Sequence, residues 1–364
     1  MDFRNFRELA IGNLIAHLPI IQGGMGVGVS LSGLASAVAN QGGIGVIAAA
    51  GIGMKEPDFQ TNYLEANIRG LQKEIRKARE MTKGILGVNI MVALSNFADL
   101  VKTAIQEKVD IIFSGAGLPL NLPSFLPENA KTKLVPIISS ARAASVIAKR
   151  WFEKYKYLPD AFVVEGPKAG GHLGFKPDQI NDPAFQLEKL IPEVLEEVKK
   201  IEITYGKKIP VIAAGGIYDG FDILKFIEMG VSGVQMATRF VTTDECDASL
   251  EFKNCYLNSK EEDIVIIKSP VGLPGRAIQN QFVKDIISGM KKPFSCGYHC
   301  IITCDFKNCP FCIASALIHA QRGEMLEGFA FSGTNAYLAD KIISVKELVQ
   351  TLKSEYSQAI ESKN

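Results

Sequence analysis

Eight short apolar runs between residues 19 and 240 constrain this chain more than any other feature. They are Pro19–Gly26, Ile44–Ala50, Gly84–Val92, Asp110–Gly115, Lys133–Ser139, Ala161–Gly166, Ile209–Gly216 and Gly233–Phe240. Most are separated by segments of helical spacing: Leu31–Asn40, Asn62–Met81, Phe97–Gln106, Ala141–Phe152, Ala184–Ile201 and Asp219–Met229. In the second of these, Leu64, Ile68, Leu71 and Ile75 fall on one face. A run that is apolar at every position has no side to offer water. It suits a strand covered on both faces, as helices cover a parallel sheet. Eight such strand–helix units predict a closed (β/α)8 TIM barrel. An open doubly wound sheet is the alternative. The barrel is favoured because glycine and polar residues recur at the carboxyl ends of so many runs.

Outside the runs the pattern is looser. The first 18 residues read as an amphipathic lead-in helix. After Phe240 we expect a helix over Glu245–Asn258, a β-branched strand Ile264–Lys268 outside the barrel, a loop at Pro274–Ala277 and a helix over Asn280–Met290. A cysteine-rich window, a helix Ile313–Ala320 and a polar terminal helix Val345–Ser357 follow. The expected organisation is a barrel domain at 1–240 and a smaller helical, substrate-side domain at 241–330. A segment at 331–364 would return to the barrel.

Composition narrows the class of partner. With 364 residues, 47% hydrophobic, a large core is affordable, and a formal net charge of +1 argues against a nucleic-acid or membrane-surface partner. The amino-terminal residues are charged and lack the apolar core of a signal peptide, and no apolar run reaches the roughly 18–20 residues of a membrane span. We expect a cytoplasmic protein that binds a small molecule.

The carboxyl ends of barrel strands are where such folds place chemistry. The first run ends in Gln22-Gly23-Gly24-Met25-Gly26, where glycines let the backbone approach a flat ligand. The third holds Asn89, whose amide can donate and accept. The sixth holds Glu165 and enters Lys168-Ala169-Gly170-Gly171-His172. The seventh ends in Gly215-Gly216, and the eighth holds Gln235-Met236-Ala237-Thr238. Glycine and small-residue turns after strands seven and eight are a common phosphate site. His172, one of four histidines, titrates near neutrality if unperturbed and could take or give a proton. His17 and His319 read as helix residues without a chemical role, and Lys168 as a solvated lysine, with an anion contact as its alternative.

The strand-one, strand-six, strand-seven and strand-eight motifs together resemble the nitronate monooxygenase family, formerly 2-nitropropane dioxygenase. Its superfamily includes the flavin-dependent enoyl-acyl-carrier-protein reductase II. The likeness covers roughly residues 15–340. It implies FMN in a TIM barrel. By motif, Gly23, Gly24 and Met25 would lie against the flavin ring, and Asn89 and Glu165 would contact its edge. Gly170 and Gly171 would border it. Gly215, Gly216, Gln235, Met236, Ala237 and Thr238 would hold the phosphate end, and His172 would be the catalytic histidine. Two positions depart from the better-known members: Glu165 stands where monooxygenases often carry glutamine and the reductases glutamate, and Ala237 where glycine is common.

The resemblance implies oxidation of alkyl nitronates or nitroalkanes with dioxygen. The alternative is NAD(P)H-dependent enoyl reduction, and a flavin-binding sensor or scaffold is a third reading. A homodimer is compatible with all three. Five cysteines, Cys296, Cys300, Cys304, Cys309 and Cys312, crowd a 17-residue window that also holds His299. Their spacing matches no standard zinc ribbon. We expect free thiols and no metal, with a zinc or iron–sulfur site as the alternative.

Overall fold

The computed structural model describes residues 6–363. Eight parallel strands close into a barrel in chain order: Ile20–Gln22, Ile44–Ala48, Ile85–Asn89, Ile111–Ser114, Lys133–Ile138, Phe162–Glu165, Val211–Ala214 and Gly233–Met236. The last pairs with the first through Val234 and Ile20, which shuts the cylinder. The expected TIM barrel is therefore the observed fold.

Alternation along each strand divides the apolar residues between two cores. Ile21, Val46, Ile111, Phe113, Val135, Val163 and Ile212 fill the barrel interior. Ile20, Ile47, Val88, Ile112, Leu134, Phe162 and Val211 face the helices. Gly87 makes room inside, since a Cβ there would lie 2.6 Å from the Phe113 ring.

The helices are Ser32–Asn40, Tyr63–Met81, Phe97–Gln106, Ala141–Tyr155, Leu187–Tyr205 and Gly220–Glu228, close to the predicted spans. Their starts are set by short polar side chains. Ser140 accepts from the Ala143 N–H and Asp219 from the Asp222 N–H. The first helix is capped from far away. Asp247 accepts from the backbone N–H groups of Leu31 (2.8 Å), Gly33 (3.2 Å) and Leu34 (3.1 Å).

Three readings are corrected. The lead-in is not a helix: Leu9–Ile11 and Leu14–Ala16 form an antiparallel hairpin across Gly12-Asn13, with Gly12 at φ 59° (residues 1–5 lie outside the described part). Leu9, Ile11 and Ala16 join the interior core, so the hairpin stoppers the amino end of the barrel. The helix expected over 245–258 is only Leu250–Leu257, because the preceding residues are spent on capping through Asp247 and Ser249. The loop at Pro274–Ala277 is a strand, Pro274–Ile278, which pairs with Ile264–Lys268 on one side and Gly171–His172 on the other.

Late in the chain, Ile267, Val271, Ala277, Phe282, Phe311 and Phe329 make a separate apolar cluster. The terminal helix Val345–Glu361 lies on Gly220–Glu228, so closely that a Cβ on Gly220 would sit 2.2 Å from the Tyr356 nitrogen. Among the described residues no helix is long and apolar enough to cross a membrane.

Candidate active site at the barrel mouth

The strand carboxyl ends open onto a cavity of about 290 Å³. All the residues singled out at strand ends line it: Gly23, Gly24 and Met25, Asn89, Glu165, Gly170, Gly171 and His172, Gly215 and Gly216, and Gln235 to Thr238. Lys168 lines it as well, from an exposed position.

The turns are built by absence of side chains. A Cβ on Gly24 would lie 2.4 Å from the Asn89 Cβ, so glycine at 24 lets the Asn89 amide reach the cavity wall. Gly215 and Gly216 hold φ of 97° and 82°, which favours glycine at both. Ala237 is accommodated from across the barrel seam: a Cβ on Gly23 would sit 3.3 Å from the Ala237 methyl, and Gly23 has none. Buried Gln22 ties the first strand to the second, its Oε1 accepting from Val46 N–H at 3.0 Å.

A strap that sequence reasoning missed, Ser332-Gly333-Thr334-Asn335, runs over the ends of strands six, seven and eight. Thr334 N–H donates to Lys168 O (3.2 Å), Asn335 Nδ2 to Gly216 O (3.0 Å) and Gly333 N–H to Thr238 Oγ1 (3.0 Å). The Ser332 hydroxyl is buried in the cavity lining with no hydrogen-bond partner. The only advance signal was a run of small polar residues around a glycine.

His172 sits on a two-residue strand, with Gly275 opposite it in register. Its Nε2 lies 2.7 Å from Ser269 Oγ, and its ring meets Phe331 edge-on at 5.0 Å. Burial lowers its pKa to about 4. The expected near-neutral titration is therefore corrected: loss of water keeps this ring uncharged at neutral pH. The same cause acts oppositely on Glu165, whose carboxyl is raised to about 7.

Arg276 underpins the loop between them. It is 5% exposed, and its Nη1 donates to the carbonyls of Pro167 and Ala169, each at 2.6 Å. Burial lowers this guanidinium to about 10.

Several polar and aromatic residues lie outside the cavity. His17 follows the hairpin, not a helix, and pairs with Glu8 at 2.7 Å, while His319 pairs with Glu324. Ser114 donates to the Ile90 carbonyl (2.9 Å), Phe175 meets Phe185, and neither they nor Tyr337 line the cavity. All seven cysteines are free thiols.

The family model for nitronate monooxygenase matches residues 8–355. A probable nitronate monooxygenase of Staphylococcus aureus strain Newman is 30% identical over 309 residues, covering 75% of this chain and 78% of that one. FabK from Thermotoga maritima superposes with a TM-score of 0.73 at 28% identity, over 95% of each chain. Nitroalkane oxidase from Streptomyces ansochromogenes gives 0.73 at 21% identity, over 96% of this chain and 98% of that one, a likeness of fold. Barrel, strand-end turns and sequence agree, and the chain belongs to the nitronate monooxygenase family.

Proposed function

We propose that the barrel-mouth cavity holds FMN and that the protein oxidises alkyl nitronates or nitroalkanes with dioxygen. The observation that carries this is the fit between the cavity and a flat, phosphate-tailed ligand. Turns without side chains at Gly23-Gly24 and Gly170-Gly171 leave room for a ring. The Gly215-Gly216 turn and the Gln235–Thr238 segment meet under a strap whose Ser332 hydroxyl lacks a partner. Gly215, Gly216, Gln235, Met236, Ala237 and Thr238 would hold the phosphate end, with Asn89 and Glu165 at the ring edge. When bound, FMN supplies the electron transfer between substrate and dioxygen.

The chain's own contribution is proton handling and exclusion of water. A neutral His172 that donates Nε2–H to Ser269 keeps Nδ1 unprotonated. That nitrogen is the acceptor for the α-proton of a neutral nitroalkane, and a preformed nitronate needs no such step. Phe331 meets the His172 ring, and Met25 and Ile217 add apolar surface to the cavity lining.

The second reading, an NAD(P)H-dependent enoyl-acyl-carrier-protein reductase, is favoured by Glu165. A carboxyl raised to about 7 carries a proton it can give to a substrate carbon. The likeness to FabK points the same way. Oxygen uptake with alkyl nitronates, without NAD(P)H, is the expected result for flavin-loaded protein. Oxidation of NAD(P)H that depends on a crotonyl thioester, with no nitronate turnover, would replace the first reading by the second. A His172→Ala variant with FMN content and full activity intact would instead favour a flavin-binding scaffold.

A further inference from the structure

Cys300, Ile301 and Ile313 line two cavities at once. One is the barrel mouth. The other encloses about 240 Å³, and four thiols face it: Cys296, Cys300, Cys304 and Cys312. We propose that this second cavity is a binding site for an iron–sulfur cluster, ligated by those four cysteines.

Ligand chemistry comes first. Four thiols around one cavity are a soft donor set, which suits zinc or iron–sulfur clusters and not hard cations. Size decides between the two. Four sulfurs bound to a single zinc at about 2.3 Å lie only about 3.8 Å apart and leave no space between them. Here four thiols line a volume of about 240 Å³, larger than a single ion needs. A cluster brings its own iron and sulfide into the space between its cysteines, so its ligands stand apart around a void.

The thiols nevertheless form one group. All four line the same cavity and fall within 17 residues of sequence. Phe294, Ile301, Phe306 and Ile313 give the lining apolar surface, with His299 beside them. The turn between the first two ligands is shaped to the task. His299 holds φ 44°, and its N–H donates to Cys296 Sγ at 3.4 Å, the kind of N–H···S bond that stabilises a ligating thiolate. The loop is pinned to the barrel, since Ser95 N–H donates to Cys300 O (3.1 Å) and Ile302 N–H to Ala93 O (2.9 Å). Cys309 is outside the cavity lining, so it is the spare thiol.

The test is chemical and does not depend on the barrel-mouth cofactor, which is assayed separately as released flavin. The full chain is purified without oxygen, then incubated with ferrous iron, sulfide and dithiothreitol and desalted. Equimolar iron and acid-labile sulfide, a broad visible absorbance and a paramagnetic signal on dithionite reduction are expected. The Cys300→Ser/Cys312→Ser double variant should lose at least nine-tenths of the iron while keeping its far-ultraviolet circular dichroism, and Cys309→Ser should keep it. Absence of sulfide from the reconstituted wild type, zinc alone at one per chain, or iron retained by the double variant would each overturn the proposal.

Discussion

Loss of water drives two side chains at the barrel mouth in opposite directions, Glu165 up to about 7 and His172 down to about 4. Each shift has a signature in stability. Glu165 holds its proton more tightly folded than unfolded, so its contribution is full below about 4.5 and is lost as pH rises through about 7. That of His172 is full above about 6.5 and is lost as pH falls through about 4. In flavin-free protein, Glu165→Gln should therefore gain a few degrees of melting temperature relative to wild type on going from about pH 5 to about pH 8. His172→Gln should show the reverse trend, and parallel curves for all three proteins would contradict the assigned shifts. The pH–rate profile separates the two functional readings. A His172 base stays active well above neutrality, whereas a Glu165 acid loses rate above about pH 7.

The strand Pro274–Ile278 is where local reading and tertiary structure part. Its sequence, with proline and glycine first, looks like a loop, and nothing nearby announces its partner. Pairing to Gly171–His172 spans about a hundred residues and is made by backbone, which carries no side-chain signature. Yet this strand positions the catalytic candidate and, through Arg276, the loop before it. Arg276→Met should orphan two buried carbonyls at roughly 1–3 kcal/mol each. Lowered thermal stability and weaker flavin retention are the expected readouts. Gly170→Ala would put a methyl 2.5 Å from the Ser332 carbonyl carbon, lifting the strap. Its flavin affinity should fall at least tenfold with little change in far-ultraviolet circular dichroism. The long helices and buried strands were legible because periodicity and apolar continuity are local. The hairpin was legible too, in the Gly12-Asn13 pair between alternating apolar residues, but its short strands were outweighed by a helical pattern.

Over the whole molecule, the chain's last long helix secures the strand-eight turn. Glu355 accepts from both Arg239 Nη1 and Nη2 at 3.0 Å and from Gly220 N–H at 2.9 Å. Arg239 directly follows Thr238, so the clamp reaches the cavity from outside the barrel. Glu355→Ala should cost about 1.5–3 kcal/mol, read by denaturant unfolding, because Arg239 loses both hydrogen bonds to the carboxylate and keeps the Tyr218 carbonyl. This partnership was not legible, since a polar terminal helix gives no hint of what it covers. At the opposite pole, the amino-terminal hairpin has a consequence for traffic. With Leu9 and Ile11 packed into the interior core, that end of the cylinder is closed among the described residues. Reactants and products therefore come and go at the strand carboxyl ends, where the cavity opens. A monooxygenase passes oxygen from dioxygen to its bound substrate, so nitronate and dioxygen must be inside together, and intersecting double-reciprocal lines are expected when nitronate is varied at several fixed dioxygen concentrations. Parallel lines, with NAD(P)H and a crotonyl thioester as the pair, would instead fit the reductase reading, in which the first product leaves before the second reactant enters.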